Sequence, residues 1–277
     1  MSLRNRHVAL SRQLEQSPIL QGLYLESAQN ARASRGDLYA VVDYPFAMVS
    51  EAFTNPEHWC EALILHLNIK YCSAGVEDER RVLSVAAGKK SEQPLSETYR
   101  FTFGYNVVRS GADYMAVNLD ASKGPLGTRN YHVALELIPL EDGQSFLHME
   151  YSYSEGFLAR LAMRVYFTTS GSAKVGFTEV AGENGEPAQL VRGVRGALER
   201  NTMRYYLALE AFLSANATSA PLRFEESLER WYAATERYAL QLHEVDYDDY
   251  ITMKRNEYQR QQAPHRLQTM TGGVLAP

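Results

Sequence analysis

A change in hydrophobic period at residue 68 constrains the fold more than any other feature of this sequence. From there to residue 155, apolar and polar residues alternate through six long segments, which is the pattern of half-buried β-strands. Turn signals such as SAG, RSGAD and LEDGQ separate these segments. Because such connections are too short for crossovers, the pattern predicts an antiparallel meander of six strands.

Helices and strands flank the predicted meander on both sides. Residues 3–16 read as a polar helix, 20–27 and 36–46 as strands, and two short helices precede residue 68. A long helix of about 194–214 follows the meander. This helix must cover the apolar face of the sheet, and a sheet that curls around a single helix is expected to leave a cavity.

A second helical region follows the closing helix. Apolar residues at helical spacing predict a helix over 222–243, and a break near EVDYDD indicates a helical hairpin with a disordered tail after Pro264. We therefore expect a domain over 1–215 and a helical extension over 216–277. The extension should cover the back of the closing helix, and its acidic residues should pair with the two arginines there; the residues concerned are Glu225, Glu226, Glu229, Arg200 and Arg204.

One face of the predicted sheet carries large apolar side chains and forms the predicted lining of a ligand cavity. The sheet residues of this lining are Tyr99, Phe101, Phe103, Met115, Leu135, Met149 and Tyr151. The closing helix adds Tyr205, Leu209 and Phe212. Such a chamber suits a lipid-like ligand, although methionines and large aromatic rings could instead fill it.

Two polar residues are candidates for the same site. Asn201 lies at the edge of the apolar stripe of the closing helix, where it either contacts the ligand or bonds a neighbouring strand. Arg164 lies in the segment 156–172, which we predict to be a lid, and it either pairs with a ligand carboxylate or phosphate or lies on a solvated helix face.

The order of elements resembles the START and START-like (helix-grip, SRPBCC) superfamily of lipid-binding proteins. The resemblance covers roughly residues 3–215. It rests on the leading helix, two strands, two short helices after VVDYPF, the six-strand meander, a lid-like insertion and the closing helix that begins near RGALERN. It implies an α+β helix-grip fold, a curved antiparallel sheet wrapped around a long helix. It also implies non-catalytic binding or transport of a hydrophobic, lipid-like ligand, with an enzyme of the aromatase/cyclase or hydrolase type as the alternative.

No residue pattern identifies a catalytic or metal site. His66, Asn68 and Lys70 in HLNIK are interpreted as polar residues of a turn, because no nucleophile motif accompanies them. A second polar group alternates onto the wet face of the sheet, where charged pairs are routine; its members are His132, Glu136, His148 and Glu150. We therefore predict no catalytic residue, no metal and no cofactor.

Composition limits the partners and the compartment. The chain of 277 residues is 45% hydrophobic and 22% charged with a net charge of −5, and it has no dense basic run, so we expect no nucleic-acid partner. No apolar run approaches the roughly 20 residues of a membrane span. The sequence predicts a soluble protein, cytoplasmic as written or periplasmic if a signal peptide is removed. Cys60 and Cys72 should lie close together, and we interpret them as thiols, with a disulfide as the alternative.

Overall fold

The computed structural model describes residues 2–30, 33–155, 174–181, 187–216 and 219–271. The following paragraphs concern those residues, and side chains are described as far as residue 263 except at 126, 220 and 221. The predicted lid over 156–172, with Arg164, lies outside the described residues.

Eight strands form one antiparallel sheet in the order β1-β2-β8-β7-β6-β5-β4-β3. The predicted meander supplies β3 to β8, and β2 joins the sheet by pairing with β8. The strands are β1 (Leu23–Gln29), β2 (Ala33–Val42), β3 (Ile69–Glu77), β4 (Arg80–Ala87), β5 (Tyr99–Ser110), β6 (Met115–Lys123), β7 (Thr128–Pro139) and β8 (Ser145–Glu155). A separate pair of two-residue strands comprises β9 (Glu179–Val180) and β10 (Gln189–Leu190).

One predicted turn is misplaced. The SAG signal lies inside β3, and the chain reverses three residues after it, at Asp78 and Glu79. These two residues have φ angles of 47° and 63°, the left-handed conformation that a tight hairpin turn requires. The hydrophobic alternation therefore located the strands, whereas the small residues of SAG did not mark the turn.

Helices cover both faces of the sheet. They are α1 (Leu3–Glu15), α2 (Phe46–Phe53), α3 (Pro56–Leu63) and α4 (Gly193–Ser214). The first helix packs on the outer face, where Leu3, Leu10 and Leu14 join a core with Tyr39 and Phe146. The outer face is therefore partly covered rather than wet throughout, which corrects the sequence-based expectation.

The long helix α4 lies on the inner face and approaches β2 closely. A Cβ atom at Gly36 would lie 2.5 Å from the Thr202 hydroxyl and 3.3 Å from Leu198 Cγ. Glycine is therefore needed at this position of β2 to let the helix reach the sheet. The α+β helix-grip fold predicted from the sequence, a long helix held by an antiparallel sheet, is confirmed.

Three further helices follow α4, namely α5 (Ala220–Glu236), α6 (Ala239–Leu242) and α7 (Tyr247–Thr271). The predicted helix over 222–243 is thus interrupted at Arg237 and Tyr238. The indole N–H of Trp231 donates to the Arg204 carbonyl at 3.1 Å, which fixes α5 on the back of α4. Helix α7 continues past Pro264 rather than ending there. The division into a domain over 1–215 and an extension over 216–277 stays a prediction.

The two back-face arginines have partners other than those predicted. Arg204 Nη2 lies 2.9 Å from the Glu244 carboxylate, and Arg200 donates to the Val175 carbonyl at 2.9 Å. The predicted acidic residues of α5 instead face Arg230 and Arg255 on the surface. Helical periodicity identified the buried face, but the partners come from the loop after α6 and from residue 175, which no local pattern indicates.

The two cysteines form a disulfide. Cys60 in α3 and Cys72 in β3 are bonded, with their Cα atoms 5.1 Å apart. Their predicted proximity is confirmed, and their interpretation as free thiols is wrong. Among the described residues, no helix combines the length and the apolar character needed to cross a membrane.

Candidate ligand-binding site

A small cavity lies between the inner face of the sheet and α4. Helix α3, the six meander strands and α4 all contribute to its wall. The lining residues are Trp59, Leu63, Ile69, Val85, Phe101, Phe103, Leu119, Tyr131, Val133, Met149, Tyr151, Tyr205 and Leu209. The cavity has a volume of about 30 Å³.

Six of the ten predicted lining residues line this cavity. They are Phe101, Phe103, Met149, Tyr151, Tyr205 and Leu209. Sequence reasoning omitted Leu119, Tyr131 and Val133 from the site, although they share the same alternation and could have been found. Trp59 and Leu63 reach the cavity from α3, and only the tertiary packing of that helix reveals them.

The other predicted residues lie elsewhere. Met115 and Leu135 are fully buried in the sheet core but do not line the cavity. The Phe212 ring packs 5.2 Å from the His58 ring and is likewise outside the lining. Tyr99 is 49% exposed at the start of β5, and Asn201 is half-buried outside the lining.

Aromatic rings fill most of the space in the cavity region. The Tyr151 ring lies 5.3 Å from the Tyr205 ring, and the Tyr131 ring lies 5.4 Å from the Tyr153 ring. The Tyr131 hydroxyl accepts a hydrogen bond from Thr128 Oγ1 at 3.0 Å. Burial raises the pKa of the Tyr151 and Tyr205 hydroxyls, so both are neutral.

The cavity volume decides between the two expectations for this interior. A volume of about 30 Å³ is only a few times the roughly 10–15 Å³ that a single water molecule needs. Sites for drug-sized ligands measure roughly 300–1,000 Å³. The open chamber expected from the sequence is therefore not present in this conformation, in which aromatic side chains fill the interior.

A second region of interest is a groove between α1 and the outer face of the sheet. It has a volume of about 700 Å³ and is lined by polar residues around His148. His148 Nε2 lies 2.8 Å from Asp37, and His148 Nδ1 lies 2.9 Å from Glu136. Arg35 donates two hydrogen bonds of 2.6 Å to Asp37. The Tyr39 ring stacks on His148 at 4.4 Å, which completes a closed network.

The polar groups of this network bind each other. Both ring nitrogens of His148 are occupied by carboxylates, and His148 is only 6% exposed. Burial lowers the pKa of His148, but the hydrogen bonds to Asp37 and Glu136 raise it by a larger amount. The net result is a raised pKa. Within the described residues, no group of three or more His, Cys, Asp or Glu side chains is placed to hold a metal.

Comparisons with known proteins concern the fold alone. No family model matches the sequence, and a search of curated proteins finds no match. Truncated norcoclaurine synthase from Thalictrum flavum matches at 13% identity over 53% of this chain and 91% of that chain, with a TM-score of 0.35. Human StAR-related lipid transfer protein 5 matches at 12% identity over 60% and 89%, with a TM-score of 0.31. Ara h 8.0201 matches at 11% identity over 54% and 92%, with a TM-score of 0.32.

These similar proteins are of different kinds, since one is a synthase and another is a lipid transfer protein. At these identities and TM-scores, they do not identify a ligand or a reaction for this chain. The residues of the cavity must supply that argument.

Proposed function

We propose that this protein binds a small hydrophobic or lipid-like molecule, without catalysis, between the inner face of its sheet and α4. The observation that carries the proposal is the lining of the residual cavity. Its wall is apolar except for the Trp59 indole and the hydroxyls of Tyr131, Tyr151 and Tyr205. A few polar groups in an apolar wall orient a hydrophobic ligand.

Ligand entry requires side chains to move, because the cavity of about 30 Å³ is far too small for a lipid. The rings best placed to move are Phe101 and Tyr131, which line the cavity but are only half-buried. Met149 also lines it, and an unbranched methionine side chain adapts readily to a new neighbour. We therefore propose that the ligand replaces the mutual contacts of these side chains.

The chemistry of the lining favours binding over catalysis. The Trp59 N–H is bonded to the Phe53 carbonyl at 2.9 Å, which leaves the tyrosine hydroxyls as the polar groups that face a ligand. Neutral tyrosine hydroxyls donate hydrogen bonds, but none of the described side chains that line the cavity is a carboxylate, histidine, lysine or cysteine. General base catalysis on a bound ligand would need such a group.

Native mass spectrometry after gentle purification tests the proposal. We expect the protein to retain a hydrophobic molecule in a one-to-one ratio and to take up a neutral lipid again after delipidation. Leu209→Trp should abolish retention by filling the site, whereas Leu240→Trp on the exposed surface of α6 should preserve it. Conversion of the retained molecule to a released product would show an enzyme, and no retention by the wild type would contradict the proposal.

A further inference from the structure

Buried positive charge collects where α7 packs against β3. The ammonium groups of Lys70 and Lys254 lie 2.8 and 2.7 Å from the two carboxylate oxygens of Glu257, and all three side chains have 0% exposure. Lys254 also donates to the carbonyls of His66 and Ile69 at 2.7 and 2.8 Å. These three acceptors use all three N–H bonds of an ammonium group, so Lys254 is protonated here.

A second carboxylate nearby has three cationic partners. Glu244, in the loop between α6 and α7, pairs with Lys90, with Lys174 at 3.1 Å and with Arg204 at 2.9 Å. Arg204 has 2% side-chain exposure, so its guanidinium is removed from water. We call the two groups together the cation cluster, which comprises Lys70, Lys90, Lys174, Arg204 and Lys254 with Glu244 and Glu257.

The charges of the cation cluster do not cancel. Three of the five cations, Lys70, Arg204 and Lys254, are removed from water and face two carboxylates, which leaves one buried positive charge in excess, while Lys90 and Lys174 add positive charge at the solvent edge. Arg260 and Glu92 act on Lys70 with opposite signs and leave this excess unchanged. Because charges removed from water need opposite charges nearby, an excess of this size is unfavourable without an anion.

His66 is packed among these cations and has an unused hydrogen-bond donor. Its Nδ1 accepts from the Asn68 backbone N–H at 3.1 Å, which places the ring proton of the neutral imidazole on Nε2. His66 is only 1% exposed, and Nε2 has no hydrogen-bond partner. Burial, together with Arg204, Lys254, Lys90 and Lys70, lowers the pKa of His66 well below its ordinary value, so the imidazole is neutral.

A second buried donor has the same property. Arg204 Nε is removed from solvent and has no hydrogen-bond partner, although Nη2 of the same side chain binds Glu244 and the Leu242 carbonyl. Buried donors are rarely left unpaired in proteins, because each one costs the hydrogen bonds it made to water. Both donors need an acceptor, and an acceptor that carries negative charge would also offset the excess positive charge.

We infer that the cation cluster is a binding site for one oxyanion group, a carboxylate or a phosphate, that His66 Nε2 and Arg204 Nε recognise. The cluster extends to solvent at Lys90 and Lys174, whose side chains are 35% and 32% exposed, so an anion has a route to it. The inference does not depend on the cavity, because a free anion would satisfy it.

The cation cluster and the cavity nevertheless meet at one residue. The Tyr205 ring lines the cavity and also stacks on the His66 ring at 4.4 Å. An oxyanion in the cluster could therefore be a free ion or the head of a ligand whose apolar tail lies in the cavity. The experiment distinguishes these two sources.

Titration of the whole protein with inorganic phosphate, at constant ionic strength, tests the site. We expect a saturable rise in melting temperature and a saturable change in the imidazole NMR signals of His66. Lys90→Gln should weaken phosphate binding by about tenfold. Lys89→Gln, which removes the same charge from the exposed neighbouring residue, should leave the affinity unchanged.

Glu244→Gln should have the opposite effect on phosphate affinity. Removal of the competing carboxylate should tighten phosphate binding by about tenfold, and phosphate should restore more stability to this variant than to the wild type.

Dodecanoate and dodecanol then distinguish the two sources of the oxyanion. A preference for dodecanoate that Lys90→Gln removes indicates a ligand head group, and equal binding of the two indicates a free ion. The inference is overturned if phosphate gives no saturable response, or if Lys90→Gln and Lys89→Gln behave alike.

Discussion

Two buried regions that meet at Tyr205 are built in contrasting ways. The cavity region is apolar and closely filled, and its volume of about 30 Å³ leaves little space unused. The centre of the cation cluster is equally buried but holds charged side chains, with Lys70, Lys254 and Glu257 at 0% exposure. The cavity region has almost no empty volume, whereas the cation cluster has an excess of positive charge.

The difference shows how each region would respond to a ligand. Apolar contacts have no direction, so rings that touch one another can exchange those contacts for contacts with a ligand at small cost. A buried charge interacts strongly with its surroundings and must be compensated locally. The cavity region is therefore expected to adapt to the shape of a ligand, and the cation cluster to select its charge.

The largest expected effect comes from neutralising the central carboxylate of the cation cluster. Glu257→Gln leaves Lys70 and Lys254 buried without a counter-charge, and the expected loss is about 3–5 kcal/mol of unfolding free energy. Urea denaturation measures it. The matched control is Glu225→Gln, which breaks an exposed pair with Arg255 and should change nothing measurable. Equal stability of the two variants would mean that the buried charges are not paired as described.

Reduction of the disulfide should have the next largest effect. Cys60–Cys72 joins α3, which contributes to the cavity wall, to β3, which carries Lys70 of the cation cluster. The two cysteines are 12 residues apart in sequence. Loss of the bond opens the loop between them, and we expect this to lower the free energy of unfolding by about 3 kcal/mol. Thermal unfolding with and without reductant measures this value, with Cys60→Ser/Cys72→Ser as the reference. Alkylation of two thiols in protein from its native compartment would show that the bond does not form there.

Overpacking the cavity region should lower the free energy of unfolding by less than loss of the disulfide does. Leu209→Trp adds more volume than a cavity of about 30 Å³ holds, so we expect a loss of about 1–3 kcal/mol. Leu240→Trp, at a position with 70% exposure, is the control and should be neutral. Chemical denaturation compares the two variants. A Leu209→Trp protein as stable as the wild type would show that the interior has more room than the structure contains.

The smallest effect concerns pH and contrasts two buried histidines. The pKa of His66 is lowered by burial and cations, so its contribution to stability is present above pH 6.5 and is lost as the pH falls below that value. The pKa of His148 is raised by its carboxylate partners, so its contribution is present below pH 6.5 and is lost as the pH rises through the raised pKa.

Each histidine should change the stability by at most about 1.4 kcal/mol per pH unit. Stability measured between pH 5 and pH 8 should therefore fall on both sides of about 6.5. His148→Gln should remove the decline on the alkaline side only. A wild-type profile that is flat over this range would contradict the assigned environments of both rings.

The sequence predicted the architecture because alternation is a local signal. Each strand of the meander repeats with period two, and that period fixes which side chains share the inner face. Phe101, Met149 and Tyr151 could be placed in the cavity wall for this reason. The contributions of Trp59 and Leu63 could not, because they depend on where α3 packs against the sheet.

The cation cluster could not be predicted from the sequence. The polar residues of HLNIK are typical of a turn, yet His66 and Lys70 are buried because α7, almost 190 residues later, covers them. The nearly closed cavity was also beyond reach, since alternation indicates which residues face inward but not how much volume they leave. Pairing across long sequence distances and the filling of space are properties of the folded chain.

The most direct test of the proposed ligand site is the position of a bound neutral ligand in solution. In an isotope-filtered NOE experiment on tyrosine-labelled protein with unlabelled dodecanol, we predict saturable contacts from the alkyl chain to the ring protons of Tyr151 and Tyr205, which disappear in Leu209→Trp. Contacts confined to exposed rings such as Tyr99 or Tyr247, or no saturable contacts at all, would contradict a ligand site between the sheet and α4.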